Sequence, residues 1–183
     1  MVGPGLRAAA RAARSGALVL GVIFLLAIPH VARAAGLKNF EIDLAGGGSL
    51  NGNGAEQAML IAAWKHQLYP DLLLRVEPTL EYLNGRGDTL WAGGFSLVVR
   101  KLAHYKKLTA FVDMGAGANG ISNNHWAGRR LGSNFMFDLL VGGGVYITHN
   151  ISISYRYRHL SNAGLFSYNN GIDSYYVVLG LGI

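Results

Sequence analysis

Apolar and polar residues alternate at a period of two along most of the chain after residue 35, with breaks at clusters of Gly, Asn and Asp. Such alternation puts successive side chains on opposite faces of a strand, and the clusters supply turns. Phe40 to Leu44 forms a first segment with Glu41 and Asp43 on its second face, and Ser49-Leu-Asn-Gly-Asn-Gly54 reads as a turn. Glu56 to His66 is a second strand whose facing the pattern leaves ambiguous. Leu72, Leu74, Val76, Pro78, Leu80 and Tyr82 share one face of a third, opposed by Arg75, Glu77 and Glu81, before a turn at Asn84-Gly-Arg-Gly-Asp88. Trp91, Phe95, Leu97 and Val99 line a fourth. Leu108, Ala110, Val112 and Met114 line a fifth, with Asp113 opposed. A Gly/Asn-rich loop from Asn119 to Ser133 leads to a sixth, carrying Phe135, Phe137, Leu139, Val141, Val145 and Ile147 against Asp138. The seventh is Ile151 to Ser161, with Arg156 and Arg158 on its polar face, and the eighth is Asp173 to Ile183.

Eight strands near the roughly 9–11 residues that cross a bilayer at a tilt predict an all-β fold, an eight-stranded antiparallel transmembrane β-barrel. Connections after strands two, four and six are short, and those after one, three, five and seven are generally longer. With a periplasmic N-terminus the longer loops lie outside. A soluble lipocalin-like barrel has the same period with its faces inverted, apolar side inward. Charged residues make up 14 % of the chain, against about 25–35 % on a soluble surface, which favours lipid outside and charge inside. Acids and bases in so narrow a lumen pair and fill it, leaving no open pore.

The N-terminus modifies this picture. Arg7, Arg11 and Arg14 precede an apolar run from Ala17 to Pro29 and then Ala32-Arg-Ala34, the layout of a cleaved secretory signal peptide over residues 1–34. The barrel domain is then 35–183. The leader holds four of the 16 basic residues and none of the ten acidic ones, so 12 bases face ten acids in the remainder, a net charge of +2. That removes the main support for a nucleic-acid partner. With no cysteine, disulfides and thiolate metal sites are excluded.

Several apparent motifs carry little chemistry. Gly115-Ala-Gly-Ala-Asn-Gly120 fits a dinucleotide fingerprint but lacks the following helix, and its glycines suit strand curvature. Arg86-Gly-Asp88 is a tripeptide in a turn. His66, His104, His125 and His149 have no metal-ligand spacing and read as loop or interface residues. No cofactor or metal is expected.

The seventh strand differs. Ile151, Ile153, Tyr155 and Tyr157 share an apolar face that ends in His159 and Ser161, neighbours on one side of a strand. By parity Asp173 lies on the matching face of the eighth strand. Serine, imidazole and carboxylate converge on one lipid-facing patch near the external rim. A hydroxyl becomes a nucleophile when a base takes its proton and a carboxylate orients that base. A polar cluster at the membrane interface fits the same spacing equally well.

The run His159-Leu-Ser161-Asn162-Ala-Gly164, followed by Asn169 and an acid 14 residues after the histidine, resembles the lipid A 3-O-deacylase family. The resemblance rests on about the last 30 residues. It implies an outer-membrane barrel that removes the ester-linked 3-position acyl chain from lipid A of lipopolysaccharide. In that likeness Ser161 is the nucleophile, His159 the base and Asp173 its orienting acid. Asn162 and the Gly164 N–H would hold the oxyanion, and Asn169 would support the site. The family has glutamate where this chain has Asp173, one methylene shorter, so the backbone must come closer or the ring must tilt. A glutamate at 173 is then expected to serve at least as well. The resemblance makes lipid A the substrate and outer-membrane lipid the surroundings, places the site near the external leaflet, and is compatible with a homodimer. Arg129 and Arg130 are candidates to meet lipid A phosphates. The alternative is a non-enzymatic outer-membrane barrel for adhesion or membrane integrity.

Overall fold

The computed structural model describes residues 39–51 and 55–183; the expected signal peptide lies outside them. The strands are β1 (Phe40–Ser49), β2 (Glu56–Tyr69), β3 (Leu72–Gly85), β4 (Asp88–Tyr105), β5 (Leu108–Ile121), β8 (Phe135–Tyr146), β9 (Ile151–Ser161) and β10 (Ile172–Gly182). The pair β6 (His125–Trp126) and β7 (Arg129–Arg130) forms a small hairpin inside the longest loop. The eight long strands close antiparallel in the order β1-β10-β9-β8-β5-β4-β3-β2, as expected.

Boundaries differ where the lumen-facing residues are small. Gly46, Gly47 and Gly48 belong to β1, and the Gly115–Gly120 run lies within β5. A β-carbon on Gly117 would sit 2.3 Å from Asp138 Oδ1 and 2.2 Å from the Phe95 carbonyl, so a glycine there makes room for a lumen carboxylate. The third connection, expected to be long, is the two-residue turn Arg86–Gly87. Both residues take positive φ (52° and 83°), the geometry that matches strand twist in a tight hairpin. β4 runs on to Tyr105, which brings Arg100 into the lumen, a charge that a strand ending at Val99 misses. In β2, the strand of ambiguous facing, Met59, Ile61 and Ala63 point inward and Leu60 and Trp64 outward.

Facing settles the choice between barrels. Val177 is 53 % exposed and Leu179 48 %, whereas Arg158, between Tyr157 and His159, is 1 % exposed. The apolar faces point outward and the charges inward, the inverse of a soluble lipocalin-like barrel. Inside, Arg75 donates to Glu41 Oε1 (2.6 Å), Asp43 Oδ2 (2.7 Å) and Glu77 Oε1 (2.6 Å). Arg156 donates to Glu77 Oε2 (2.7 Å) and Asp113 Oδ2 (3.2 Å). Arg158 donates to Glu81 Oε2 (2.6 Å), Asp138 Oδ2 (2.9 Å) and Asn119 Oδ1 (2.9 Å). Buried charges persist only when paired and hydrogen-bonded, and this lattice fills the bore.

Toward the end opposite Phe40 and Gly182, the lumen turns apolar. Leu83, Leu90, Ile121, Trp126, Leu131, Met136, Leu160 and Ile172 form a buried cluster roofed by the 122–134 loop. That roof is the floor on which the 162–171 loop rests.

Candidate active site

Chain parity along β9 puts Tyr155, Tyr157, His159 and Ser161 on the outer face, with Ser154, Arg156, Arg158 and Leu160 buried inward. In the ladder His159 lies directly opposite Asp173 of β10 and Leu139 of β8, and Ser161 opposite Phe137. Facing residues on neighbouring strands have β-carbons about 4.5–5.5 Å apart, a span a short carboxylate can bridge. His159 Nδ1 lies 2.7 Å from Asp173 Oδ1. The shorter acid thus meets the imidazole without help from a longer side chain.

An ionised carboxylate only accepts hydrogen bonds. Asp173 therefore fixes the proton on His159 Nδ1 and leaves Nε2 as the basic nitrogen. Gly171 faces this ring: a β-carbon there would lie 2.9 Å from His159 Cε1 and 2.7 Å from the Leu160 carbonyl. Among the described residues no hydrogen bond joins Ser161 to His159. Two residues along a strand span roughly 6.5–7 Å, so a rotation of either side chain is what brings Oγ to Nε2.

The 162–171 loop is ordered by two asparagines. Asn162, fully buried, donates from Nδ2 to the carbonyls of Leu131 (2.8 Å) and Tyr168 (2.6 Å), and its Oδ1 accepts the Gly164 N–H (3.0 Å). Its own N–H donates to Asn169 Oδ1 (2.9 Å). The Asn162 carboxamide thereby ties two loops together, which leaves backbone N–H groups as the other donors here. Those of Asn162 and Gly164 are occupied by carboxamide oxygens. That of Ala163, a residue with φ of 55°, has no partner among the described residues. Gly132, at φ +79°, packs so close that a β-carbon would lie 1.9 Å from the Tyr168 carbonyl and 2.9 Å from Asn162 Nδ2.

Residues that period and spacing did not single out complete the site. Tyr157 donates its hydroxyl to Asp173 Oδ1 (2.6 Å), and Asn51, from the β1–β2 loop, donates Nδ2 to Asp173 Oδ2 (2.6 Å). Parity alone signals Tyr157, two residues before His159; nothing in the pattern signals Asn51. Of the two loop arginines, Arg129 donates to the Asn51 carbonyl (3.3 Å), and exposed Arg130 stacks over Tyr168 at 5.0 Å. Among the described residues the remaining histidines lie apart: His66 and His104 toward strand ends, His149 in the β8–β9 turn and His125 on β6.

A model of the family described as Lipid A 3-O-deacylase (PagL) matches residues 53–182. The chain is 38 % identical over 63 residues to lipid A deacylase PagL of Bordetella bronchiseptica, covering 34 % of this chain and 35 % of that protein. It is 31 % identical over 99 residues to lipid A deacylase PagL of Pseudomonas aeruginosa, covering 49 % and 57 %. The matched stretches thus span about a third and somewhat over half of those two relatives. Among solved structures, the outer membrane enzyme PagL superposes with a TM-score of 0.71 at 23 % identity, over 78 % of this chain and 99 % of that one. Neisserial surface protein A gives a TM-score of 0.50 at 14 % identity, over 77 % and 92 %. At these identities the likeness is one of fold.

Proposed function

The chain belongs to the lipid A 3-O-deacylase (PagL) family, and from that premise we propose that it is an outer-membrane serine esterase that removes the 3-position acyl chain of lipid A. The observation that carries the reading is the His159–Asp173 bond of 2.7 Å on the lipid-facing side of the barrel, beside Ser161. A bound lipid then keeps its acyl chain in hydrocarbon while its ester reaches the rim.

Ser161 Oγ attacks the ester carbonyl carbon as His159 Nε2 takes its proton, and Asp173 stabilises the imidazolium through Nδ1. The tetrahedral oxyanion is held by backbone N–H groups at the start of the 162–171 loop. Asn169 and Asn162 keep two of those donors in place through their carboxamide oxygens, which yield to the oxyanion, and the open Ala163 N–H adds to them. Collapse expels the sugar 3-hydroxyl, which takes the proton from Nε2. Water, deprotonated by the same nitrogen, then attacks the acyl-enzyme and releases the fatty acid. Exposed Arg130 is placed to meet a lipid A phosphate, whereas Arg129 is turned toward Asn51.

Incubation of the purified protein with lipid A in micelles, followed by mass spectrometry, tests this reading. Loss of one hydroxyacyl chain is expected with wild type and not with Ser161→Ala. Activity retained in Ser161→Ala would defeat the mechanism, and an inert wild type would favour a structural or adhesive barrel.

A further inference from the structure

We propose that Asn51 and Tyr157 are positioning residues that clamp the Asp173 carboxylate against His159, a role that rests on the esterase reading above. The Asn51 carboxamide closes a two-way contact with Asp173: Nδ2 donates to Oδ2 at 2.6 Å and Oδ1 accepts the Asp173 N–H at 3.2 Å. Nδ2 also reaches the Gly171 carbonyl (3.3 Å), and Ser49 Oγ donates to Asn51 Oδ1 (2.9 Å). The Asp173 carbonyl in turn accepts the Leu50 N–H (2.8 Å). Asp173 is thus anchored on its backbone and on one carboxylate oxygen by residues of the β1–β2 loop.

The second oxygen is shared. Oδ1 accepts both His159 Nδ1 (2.7 Å) and the Tyr157 hydroxyl (2.6 Å). A carboxylate on one bond of Cβ rotates about χ2, a broad torsion; with Oδ2 tied to Asn51 and Oδ1 tied to Tyr157, that rotation is stopped with Oδ1 facing the imidazole. A half-exposed acid at a membrane rim has no packed pocket to fix it, so hydrogen bonds must. Tyr157 also has an electrostatic effect. Its hydroxyl shares Oδ1 with the imidazole and takes up part of the charge that Oδ1 presents to the ring. The charged and titratable groups around Asp173 are Tyr157 and His159 on β9 and Arg129 on β7; Asn51 and Ser49, from the β1 side, are neutral.

The test uses full-length protein in micelles with lipid A, with barrel integrity followed by the mobility difference between heated and unheated samples on detergent gels. Asn51→Ala is expected to lower kcat about 10- to 150-fold, the effect of losing a hydrogen bond to a charged group, with KM little changed. Tyr157→Phe is expected to lower kcat several-fold with KM little changed, because Oδ1 is then free to turn away from the imidazole. Wild-type kcat in either variant overturns the clamp. Should Asn51→Ala fail to fold, Asn51→Asp keeps the shape and the acceptor for the Asp173 N–H but loses the donor. Two adjacent carboxylates share a proton at low pH, which restores the bridge. Its kcat relative to wild type must therefore rise as pH falls, and a ratio flat in pH overturns the proposal. Ser161→Ala separates the two levels. If it is inactive while the Asn51 variants match wild type, only the clamp fails; if it is active, the esterase reading itself fails.

Discussion

Asp173→Glu is the substitution for which the family likeness and the geometry of the site give opposite answers. The likeness favours glutamate. In the structure, however, the aspartate carboxylate already meets Tyr157 Oη at 2.6 Å, Asn51 Nδ2 at 2.6 Å and His159 Nδ1 at 2.7 Å. These contacts lie at or below the short end of the usual range and leave no slack. An added methylene lengthens the side chain by roughly 1.5 Å. Between strands whose register sets His159 against position 173, the longer acid must fold aside. It keeps the imidazole only by abandoning Asn51, or the reverse. Each hydrogen bond to a charged group is worth about 1.5–3 kcal/mol, so losing the one that orients the base lowers kcat by about 10- to 150-fold. The assay is the initial rate of hydroxyacyl release from lipid A in micelles, at matched amounts of heat-modifiable barrel. A glutamate variant as fast as wild type or faster would refute the reasoning, since the cross-strand fit would then not set the acid's length.

Two further outcomes follow from the packing. Arg158→Leu leaves Glu81 and Asp138 without their guanidinium and is expected to cost about 3–5 kcal/mol, as breaking a buried pair does, read by urea unfolding in micelles; a change under about 1 kcal/mol would show that the lumen relaxes freely. Gly132→Ala puts a β-carbon 1.9 Å from the Tyr168 carbonyl at a positive φ, so the 162–171 loop must shift: most of the activity is expected to go while the heat-modifiable barrel remains, and an unaffected rate would detach that loop from the chemistry.

What the sequence made legible follows the reach of its period. Alternation found the eight strands and the lumen charges Glu41, Asp43, Arg75, Glu77, Glu81, Asp113, Asp138, Arg156 and Arg158, because one face meets lipid and the other is packed with ion pairs. It also placed His159, Ser161 and Asp173 on the outer face, since parity is local and survives small errors in strand ends. Strand ends themselves were less legible: the glycines of β1 and β5 interrupt the apolar alternation yet lie within strands, and at Gly117 a β-carbon would collide with Asp138. The function of Asn162 was legible only as a motif. That its carboxamide joins the Leu131 and Tyr168 carbonyls depends on how two loops meet, which no local pattern encodes. Asn51 is the extreme case, separated from Asp173 by 122 residues and joined to it by barrel closure through the β1–β10 pairing.

That closure links the two faces of the wall. On β9, residues 156 and 158 point inward and are held by Glu77 and Asp113, and by Glu81 and Asp138, while residues 157, 159 and 161 point outward. A slip of one residue would exchange the two sets, driving arginine into lipid at about 2–4 kcal/mol near the midplane and leaving the lumen acids unpaired. A slip of two would keep the faces but move Arg158 off Glu81 and His159 off Asp173 together. The register that satisfies the inner ion pairs is therefore the register that sets imidazole opposite carboxylate on the outside. The interior, which holds no part of the proposed reaction, fixes the geometry of the exterior, and a plugged bore is what allows a site on the open lipid-facing wall to be rigid.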